Sequence, residues 1–169
     1  MRERAAAGGE QDFEGFVRQA SPALLRYAMV LTLDAHRAED LAQETFVRIG
    51  TAWSRRGWAD DPVAYARRTM TNVFLNERRR ARREVLRPLP DGPDATRSAT
   101  AEVDDRSALR TLLAALPPRQ RAAVALRYVL DQSDDDIAAV LGCSPQTVRS
   151  QISRGLATLR LAHAPRQET

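Results

Sequence analysis

The polar side chains with the clearest chemistry lie near the C-terminal end of the sequence, in SPQTVRSQISRGLATLR at residues 144–160. This segment contains three arginines and no acidic residue. Guanidinium, amide and hydroxyl groups hydrogen-bond to the edges of DNA bases and to phosphate oxygens. The residues that would make such contacts are Gln146, Thr147, Arg149, Ser150, Ser153 and Arg154.

Two consecutive helices are predicted to position these side chains. Ser133 begins a short first helix that stops before Gly142, and glycine suits the left-handed conformation that often ends a helix. Ser144 caps the second helix, and Pro145 is its first residue. This order predicts a helix-turn-helix that enters a DNA major groove, although any two packed amphipathic helices would share much of the pattern. The inward-facing residues of the second helix are Val148, Ile152, Leu156 and Leu159.

A second concentration of positive charge lies between Pro62 and Pro90. This stretch holds eight arginines and two glutamates, a net charge of +6, whereas the whole chain carries +4. Clustered arginines favour binding to phosphates, because neutralising them releases condensed counterions. The alternative is a helix end that is basic only for solubility.

The composition favours a helical protein. Of the 169 residues, 43% are hydrophobic and only 5% are aromatic, so the core is expected to be built from Leu, Val, Ile and Ala. The single cysteine, Cys143, excludes a disulfide within the chain. No apolar run reaches the length of a membrane span, and the N-terminus lacks an apolar signal core, so a cytoplasmic protein without membrane insertion is expected.

The order of elements predicts an all-α chain with two small helical bundles joined by a flexible linker. Residues 1–11 are expected to be a disordered tail, 12–83 a first domain, 84–105 the linker and 106–163 a second domain. The linker assignment depends on three prolines and the absence of a hydrophobic period. Within the first domain, Ser21–Pro22 and Asp61–Pro62 each predict the start of a helix.

Three segments together resemble a known protein family. RAEDLAQETFVRIGTAW, at residues 37–53, resembles the core-polymerase-binding helix of extracytoplasmic-function sigma factors, which belong to the sigma-70 family. DPVAYARRTMTNVFLNERRRARR resembles the part that reads and melts the minus-ten promoter element, and the C-terminal helix pair resembles the domain that reads the minus-thirty-five element. The resemblance covers about residues 12–163 and is strongest to the actinobacterial SigE-type subgroup.

The resemblance implies two functional faces in the N-terminal half. One would bind the clamp helices of the largest polymerase subunit, and the other would contact minus-ten DNA. The residues implied for polymerase binding are Asp40, Leu41, Gln43, Glu44 and Arg48. The residues implied for minus-ten DNA are Trp58, Arg67, Arg68, Asn72, Asn76, Arg79 and Arg80. Many relatives carry Asp where Asn76 stands, which implies a shifted minus-ten preference.

The resemblance also assigns roles within the second helix of the C-terminal pair. Arg149 is the expected base reader, because arginine pairs bidentately with guanine. Arg154 is expected to anchor a phosphate, and Thr147 lies near the helix N-terminus, where phosphates also bind.

The function implied is that of an alternative sigma factor. It would bind core RNA polymerase, including the flap of the second largest subunit, direct it to specific promoters and promote DNA melting. An anti-sigma factor is a further implied partner. We expect neither an enzyme nor a bound cofactor or metal, because the sequence holds no nucleophile–base pair, phosphate loop or metal-ligand cluster, and His36 and His163 lie in polar contexts.

Two other classes fit parts of the pattern. A LuxR-type transcription regulator has a very similar helix pair, but its sensing domain is often an alternating β/α receiver, and the N-terminal half here shows no strand pattern. A helical interaction protein that does not bind DNA would share the amphipathic helices, but its partner binding would be insensitive to salt.

Overall fold

The computed structural model describes residues 2–56, 61–85 and 105–163. Within these ranges the chain forms seven α-helices and no β-strand, which confirms the all-α prediction. The helices are α1 (Arg2–Thr32), α2 (Ala35–Arg56), α3 (Pro62–Val85), α4 (Asp105–Ala114), α5 (Pro118–Tyr128), α6 (Asp134–Leu141) and α7 (Pro145–His163).

The first helix is longer than the sequence predicts. α1 begins at Arg2, so the structure differs from the disordered tail expected over residues 1–11. This stretch includes three consecutive alanines, the residue with the highest helix propensity. The expected helix start at Ser21–Pro22 is wrong, because α1 runs through Pro22.

The continuity of α1 through Pro22 has a physical cause in its buried face. Phe16 and Ala20 before the proline and Leu24 and Tyr27 after it are all buried in one core. That burial outweighs the backbone hydrogen bond that a proline cannot donate. The Ser21 hydroxyl does not cap a new helix but donates back to the carbonyl of Val17 at 2.6 Å.

The N-terminal bundle packs α1 against α2 and α3. Tyr27 is fully buried, and its hydroxyl is 2.8 Å from the Thr71 hydroxyl of α3. At the other end of the bundle, the Trp53 ring lies 5.3 Å from the rings of both Phe13 and Phe16. Trp53 thus packs against the core of this bundle.

Local capping defines the start of α3. Asp61 Oδ1 accepts the backbone N–H groups of Val63 and Ala64 at 3.0 and 2.9 Å, which confirms the predicted Asp61–Pro62 start. The preceding helix, α2, has a cap that the sequence analysis did not identify, because Asp34 Oδ1 accepts the backbone N–H of Arg37 at 2.9 Å.

The C-terminal bundle contains the predicted helix-turn-helix. Ser133 and Asp136 form a reciprocal capping box at the start of α6, and Gly142 ends the helix with φ of 62°. The backbone N–H of Thr147 donates to Ser144 Oγ at 3.2 Å and so caps α7. In the middle of α7, Gly155 allows close approach to α5, since a Cβ atom there would lie 2.9 Å from Val124 Cγ2.

The two bundles are both present, and they pack directly against each other. Of the predicted linker, residues 86–104 lie outside the described residues. Helices α1 and α3 contact α5, and α3 contacts α6, so one continuous apolar cluster includes residues from both bundles. Arg121 of α5 is 6% exposed and donates from Nη1 to the carbonyl of Leu31 in α1 at 2.9 Å. Its burial lowers the pKa of the guanidinium to about 10, with a further contribution from Arg78, and it remains charged at neutral pH.

Candidate nucleic-acid and polymerase interfaces

The outer face of α7 presents all the residues predicted to contact minus-thirty-five DNA. The inner residues Val148, Ile152 and Gly155 are buried against α5 and α6. This division leaves a polar helix surface next to the N-terminus of α7, where backbone N–H groups favour anions. The exposed predicted residues are Gln146, Thr147, Arg149, Ser150, Ser153 and Arg154.

Hydrogen bonds within α7 and to its cap residue Ser144 already engage two of these hydroxyl groups. The Thr147 hydroxyl lies 2.9 Å from Ser144 Oγ, and Ser150 Oγ donates to the carbonyl of Gln146 at 3.1 Å. The hydroxyl of Ser150 therefore offers acceptor lone pairs rather than its proton while this bond is kept.

The expected base reader Arg149 has a partner that the sequence analysis missed. Its Nη1 lies 3.2 Å from Oδ2 of Asp134, the first residue of α6, while 62% of the Arg149 side chain stays exposed. Asp134 also forms an ion pair with Arg127 of α5 through its other oxygen. From the sequence alone, Asp134 is explained by its place in the first turn of α6, where the helix dipole favours acidic residues. The sequence signal was the acidic first turn of α6 next to the segment at residues 144–160, which contains arginines and no acidic residue.

One face of α3 carries most of the residues predicted for minus-ten DNA. The exposed members follow each other at helical spacing and are Arg68, Asn72, Asn76, Arg79 and Arg80. Two amide side chains are thus flanked by guanidinium groups on a single solvent-facing surface. Trp58 lies outside the described residues.

Arg67 differs from its neighbours on α3 because it faces the C-terminal bundle. It is half-buried, and its Nη1 donates to Oε1 of Gln132 at 2.6 Å. Hydrogen bonds from Ser133 lower the pKa of Asp136, and the positive charge of Arg67 nearby lowers it further. In this arrangement Arg67 is engaged by the segment before α6 rather than by solvent.

One arginine of the basic cluster serves packing. Arg78 is half-buried, and its guanidinium carbon lies 5.5 Å from the centroid of the Phe74 ring. Burial, followed by repulsion from Arg37, lowers its pKa. The charge of the cluster is therefore not all directed at solvent.

A polar face of α2 carries four of the five residues predicted for polymerase binding. Asp40, Gln43 and Arg48 are exposed and Glu44 is half-buried. Arg48 donates to Glu44 Oε1 at 2.6 Å, an i,i+4 ion pair on the surface. The predicted polymerase contact at Leu41 is not supported by the structure. Leu41 is 2% exposed and packs in the core, so its side chain cannot contact a partner in this arrangement.

Val47 is a further residue of this face that sequence reasoning missed. It is 68% exposed and lies one turn beyond Gln43 and Glu44. An exposed β-branched residue among polar side chains supplies apolar area for a partner surface. The sequence signal was that Val47 lies outside the apolar stripe of α2, which is formed by Leu41, Phe46, Ile49 and Trp53.

In residues 2–56, 61–85 and 105–163, no three His, Cys, Asp or Glu side chains come together as metal ligands. None of the helices described there is both long and apolar enough to span a membrane.

Comparison with known proteins places both halves of the chain in one family. Residues 16–84 match Sigma-70 region 2, and residues 106–159 match Sigma-70, region 4. The RNA polymerase sigma-E factor of Streptomyces avermitilis is 40% identical over 158 residues, which cover 92% of this chain and 87% of that protein. The sigma-E factor of Streptomyces antibioticus is 38% identical over 92% of this chain and 86% of its own.

A solved relative has the same fold. The sigma factor RpoE of Bartonella quintana, crystallised with the anti-sigma factor NepR, superposes with a TM-score of 0.72 at 26% sequence identity. The superposition covers 90% of this chain and 96% of RpoE.

The succession of regions 2 and 4 does not favour a LuxR-type regulator, since residues 16–84 match a sigma-factor region rather than a receiver. Sigma factors are transcription initiation factors rather than enzymes. The chain therefore belongs to the sigma-70 family, as an alternative sigma factor of the extracytoplasmic-function group.

Proposed function

We propose that this sigma factor binds core polymerase through α2, minus-ten DNA through α3 and minus-thirty-five DNA through α7. The observation that carries this proposal is the sorting of side chains by exposure. On each of these three helices the apolar face is buried in the shared core, and the predicted contact residues that the helices carry, apart from Leu41 and Arg67, reach the surface.

Helix α2 would bind the clamp helices of the largest polymerase subunit. Asp40, Gln43 and Glu44 supply acceptors and one amide, and Val47 supplies apolar area beside them. The exposed Glu44–Arg48 pair costs little to rearrange, because surface ion pairs are worth about 0–1 kcal/mol. Leu41 would act indirectly, by fixing α2 on the bundle.

Helix α3 would hold the minus-ten element. Asn72 and Asn76 offer amide groups that read base edges or hold an unstacked base. Arg68, Arg79 and Arg80 would contact the phosphates on either side and so set the register of DNA on the helix. Trp58 stays a candidate for stacking on an extruded base.

Helix α7 would enter the major groove of the minus-thirty-five element. Arg149 would read a guanine through its two-pronged guanidinium, while Arg154 would anchor a phosphate. Gln146 and Ser153 lie on the same exposed surface and supply further donors and acceptors.

Promoter binding would require the two bundles to separate. The two elements lie about 25 base pairs apart, roughly 85 Å of B-DNA at 3.4 Å per base pair. In the structure α3 packs against α6, so α3 and the helix-turn-helix cannot reach both elements at once. After separation, binding of both bundles to one polymerase would make the second DNA contact effectively intramolecular.

Further partners would follow from the same surfaces. The flap of the second largest polymerase subunit would bind the C-terminal bundle. An anti-sigma factor is also proposed, supported by RpoE, a relative crystallised with the anti-sigma factor NepR. The site of action would be the cytoplasm, where bacterial polymerase transcribes DNA.

Run-off transcription tests this proposal. Core polymerase with the chain would first select promoters from a pool of random DNA, and transcripts would then be compared with core alone. We expect transcripts only with the chain, weaker ones with Asn76→Ala, and normal ones with Arg26→Ala, an exposed substitution in α1. Equal transcription with and without the chain would overturn the proposal.

A further inference from the structure

Asp134 joins three helices of the C-terminal bundle. It is the first residue of α6, and its two carboxylate oxygens bind different arginines, Arg127 of α5 and Arg149 of α7. Its side chain is 27% exposed, whereas that of Arg149 is 62% exposed. One end of this chain of charges is therefore fixed in the bundle, and the other end lies on the surface proposed to face DNA.

We propose that Asp134 is a positioning residue that orients Arg149 and thereby sets specificity for the base pair that Arg149 reads. This inference rests on the proposed function of α7. An arginine has four rotatable side-chain bonds, so an unrestrained guanidinium samples many positions before it meets a base. The carboxylate removes part of that freedom before DNA is bound, and such preorganisation is worth about 2- to 12-fold in affinity per ordered side chain.

The geometry favours positioning over stabilisation of the fold. An ion pair to an arginine this exposed adds little to stability, because water screens the charges. The start of α6 is fixed independently, since the capping box uses Ser133 and Asp136 rather than Asp134. Asp134 is thus free of a capping role and bridges to the two arginines.

The charge balance also suits a DNA-facing site. A lone carboxylate near DNA would repel phosphates, but Arg127 neutralises Asp134 and leaves the three-residue group with a net charge of +1. Arg127, Asp134 and Arg149 line a surface groove, and Arg160 lines it too and adds further positive charge. Loss of Asp134 should therefore raise binding to unrelated DNA while it lowers discrimination between bases.

The test uses the holoenzyme and a set of minus-thirty-five duplexes in which each base pair is varied in turn. Asp134→Asn removes the charge with little change of shape. Asp135→Asn is the matched control, because it removes an equal charge one residue away, at an exposed position. Arg149→Ala and the double variant Asp134→Asn with Arg149→Ala complete a cycle, and thermal unfolding of each chain reports whether it is folded.

We expect wild type to discriminate roughly 5- to 150-fold at the base pair that Arg149 reads, and Arg149→Ala to abolish this discrimination. Asp134→Asn should reduce discrimination at that same base pair by about 2- to 12-fold. Asp134→Asn should have no effect on discrimination in the Arg149→Ala background. Asp135→Asn should leave discrimination unchanged. Asp134→Ala should reproduce the result of Asp134→Asn.

Two different failures are distinguishable. If Arg149→Ala changes discrimination and Asp134→Asn does not, the positioning role is overturned and the proposed role of α7 stands. If Arg149→Ala leaves discrimination at every base pair the same as in wild type, Arg149 does not read a base, and the inference about Asp134 is overturned as well. An equal effect of Asp134→Asn with and without Arg149 also overturns the inference.

Discussion

The guanidinium of Arg67 donates from Nη1 to Oε1 of Gln132 at 2.6 Å, and this bond joins α3 to the segment that leads into α6. It links a residue predicted to contact minus-ten DNA to the helix-turn-helix of the other bundle. The structure is therefore a closed arrangement in which one predicted DNA contact is already occupied.

The first prediction is that the bundles move apart on promoter DNA. Dyes would be attached to cysteines at Glu77 and Ala157, two exposed positions, in a Cys143→Ala background. We expect a short dye separation in the free chain and an increase of tens of Å in the promoter-bound holoenzyme, given the roughly 85 Å between elements. An unchanged energy-transfer efficiency would contradict the proposed opening.

The second prediction concerns the buried Arg121. It donates to the carbonyls of Leu31, Ala114 and Leu116 at 2.9, 3.3 and 3.2 Å. Arg121→Met should lower the free energy of unfolding by about 2–4 kcal/mol, because buried acceptors left without donors cost about 1–3 kcal/mol each. Part of this cost is offset, because the variant no longer buries a charged group. Urea denaturation measures the change.

A matched control for Arg121 lies two residues earlier. Arg119 is exposed and makes one bond, at 2.8 Å, to the Leu141 carbonyl. Arg119→Met should cost about 1 kcal/mol or less. Equal losses for the two variants would refute the linking role assigned to Arg121.

The third prediction is that Gly155→Ala destabilises the C-terminal bundle. The new methyl would lie 2.9 Å from Val124 Cγ2, and overpacking of this kind costs about 1–3 kcal/mol. The gain in helix propensity, about 0.5–1 kcal/mol, is smaller. Adding Val124→Ala should restore part of the loss in thermal unfolding, and an additive further loss would show that the close approach is not the cause.

The fourth prediction is a pH dependence of the α6 cap. Hydrogen bonds from the side chain and backbone of Ser133 lower the pKa of Asp136 below its usual 3.8. Its contribution to stability is therefore fully present above pH 3.8 and is lost as the pH falls through the lower pKa of the folded state.

Asp136→Asn measures this contribution. The stability difference between wild type and variant should be constant from pH 7 to 5 and shrink below about pH 4, as followed by urea denaturation at each pH. Asp135→Asn serves as the control for loss of an acid from the first turn. A difference that grows on acidification would refute the assignment.

The fifth prediction separates phosphate anchoring from base reading. Arg154→Ala should weaken binding to all minus-thirty-five sequences alike and lower the slope of log affinity against log salt by about 1. Arg26→Ala, which removes an exposed arginine of α1, should change neither. Altered discrimination at a single base pair by Arg154→Ala would instead make it a base reader.

Local features were the most predictable part of the fold. The starts at Asp61, Ser133 and Ser144 and the end at Gly142 depend on residues within one turn of each other, and all four are confirmed. Pro22 shows the limit of such reasoning. Its local signal for a helix start is outweighed by burial on both sides of it, which only the packing of three helices reveals.

Contacts between distant residues were beyond the sequence. The pairs Arg67–Gln132 and Arg149–Asp134 depend on how helices cross, and neither leaves a spacing signal in the chain. Leu41 illustrates the same limit at the site. By resemblance Leu41 is a polymerase-binding residue, whereas its place on the apolar stripe of α2 predicts a core residue. Only the packed bundle shows that Leu41 lies in the core.

The most direct test of the account is co-elution with core RNA polymerase in size-exclusion chromatography. Three chains would be compared: wild type, a triple alanine variant of the α2 face (Asp40, Gln43, Glu44), and a triple alanine variant of α1 (Asp12, Glu14, Gln19). The second variant is matched, since it removes two acids and one glutamine at exposed positions. We predict that wild type and the α1 variant co-elute with polymerase and the α2 variant does not. Wild type that elutes alone, or an α2 variant that still co-elutes, would contradict the proposal that α2 is the polymerase-binding helix.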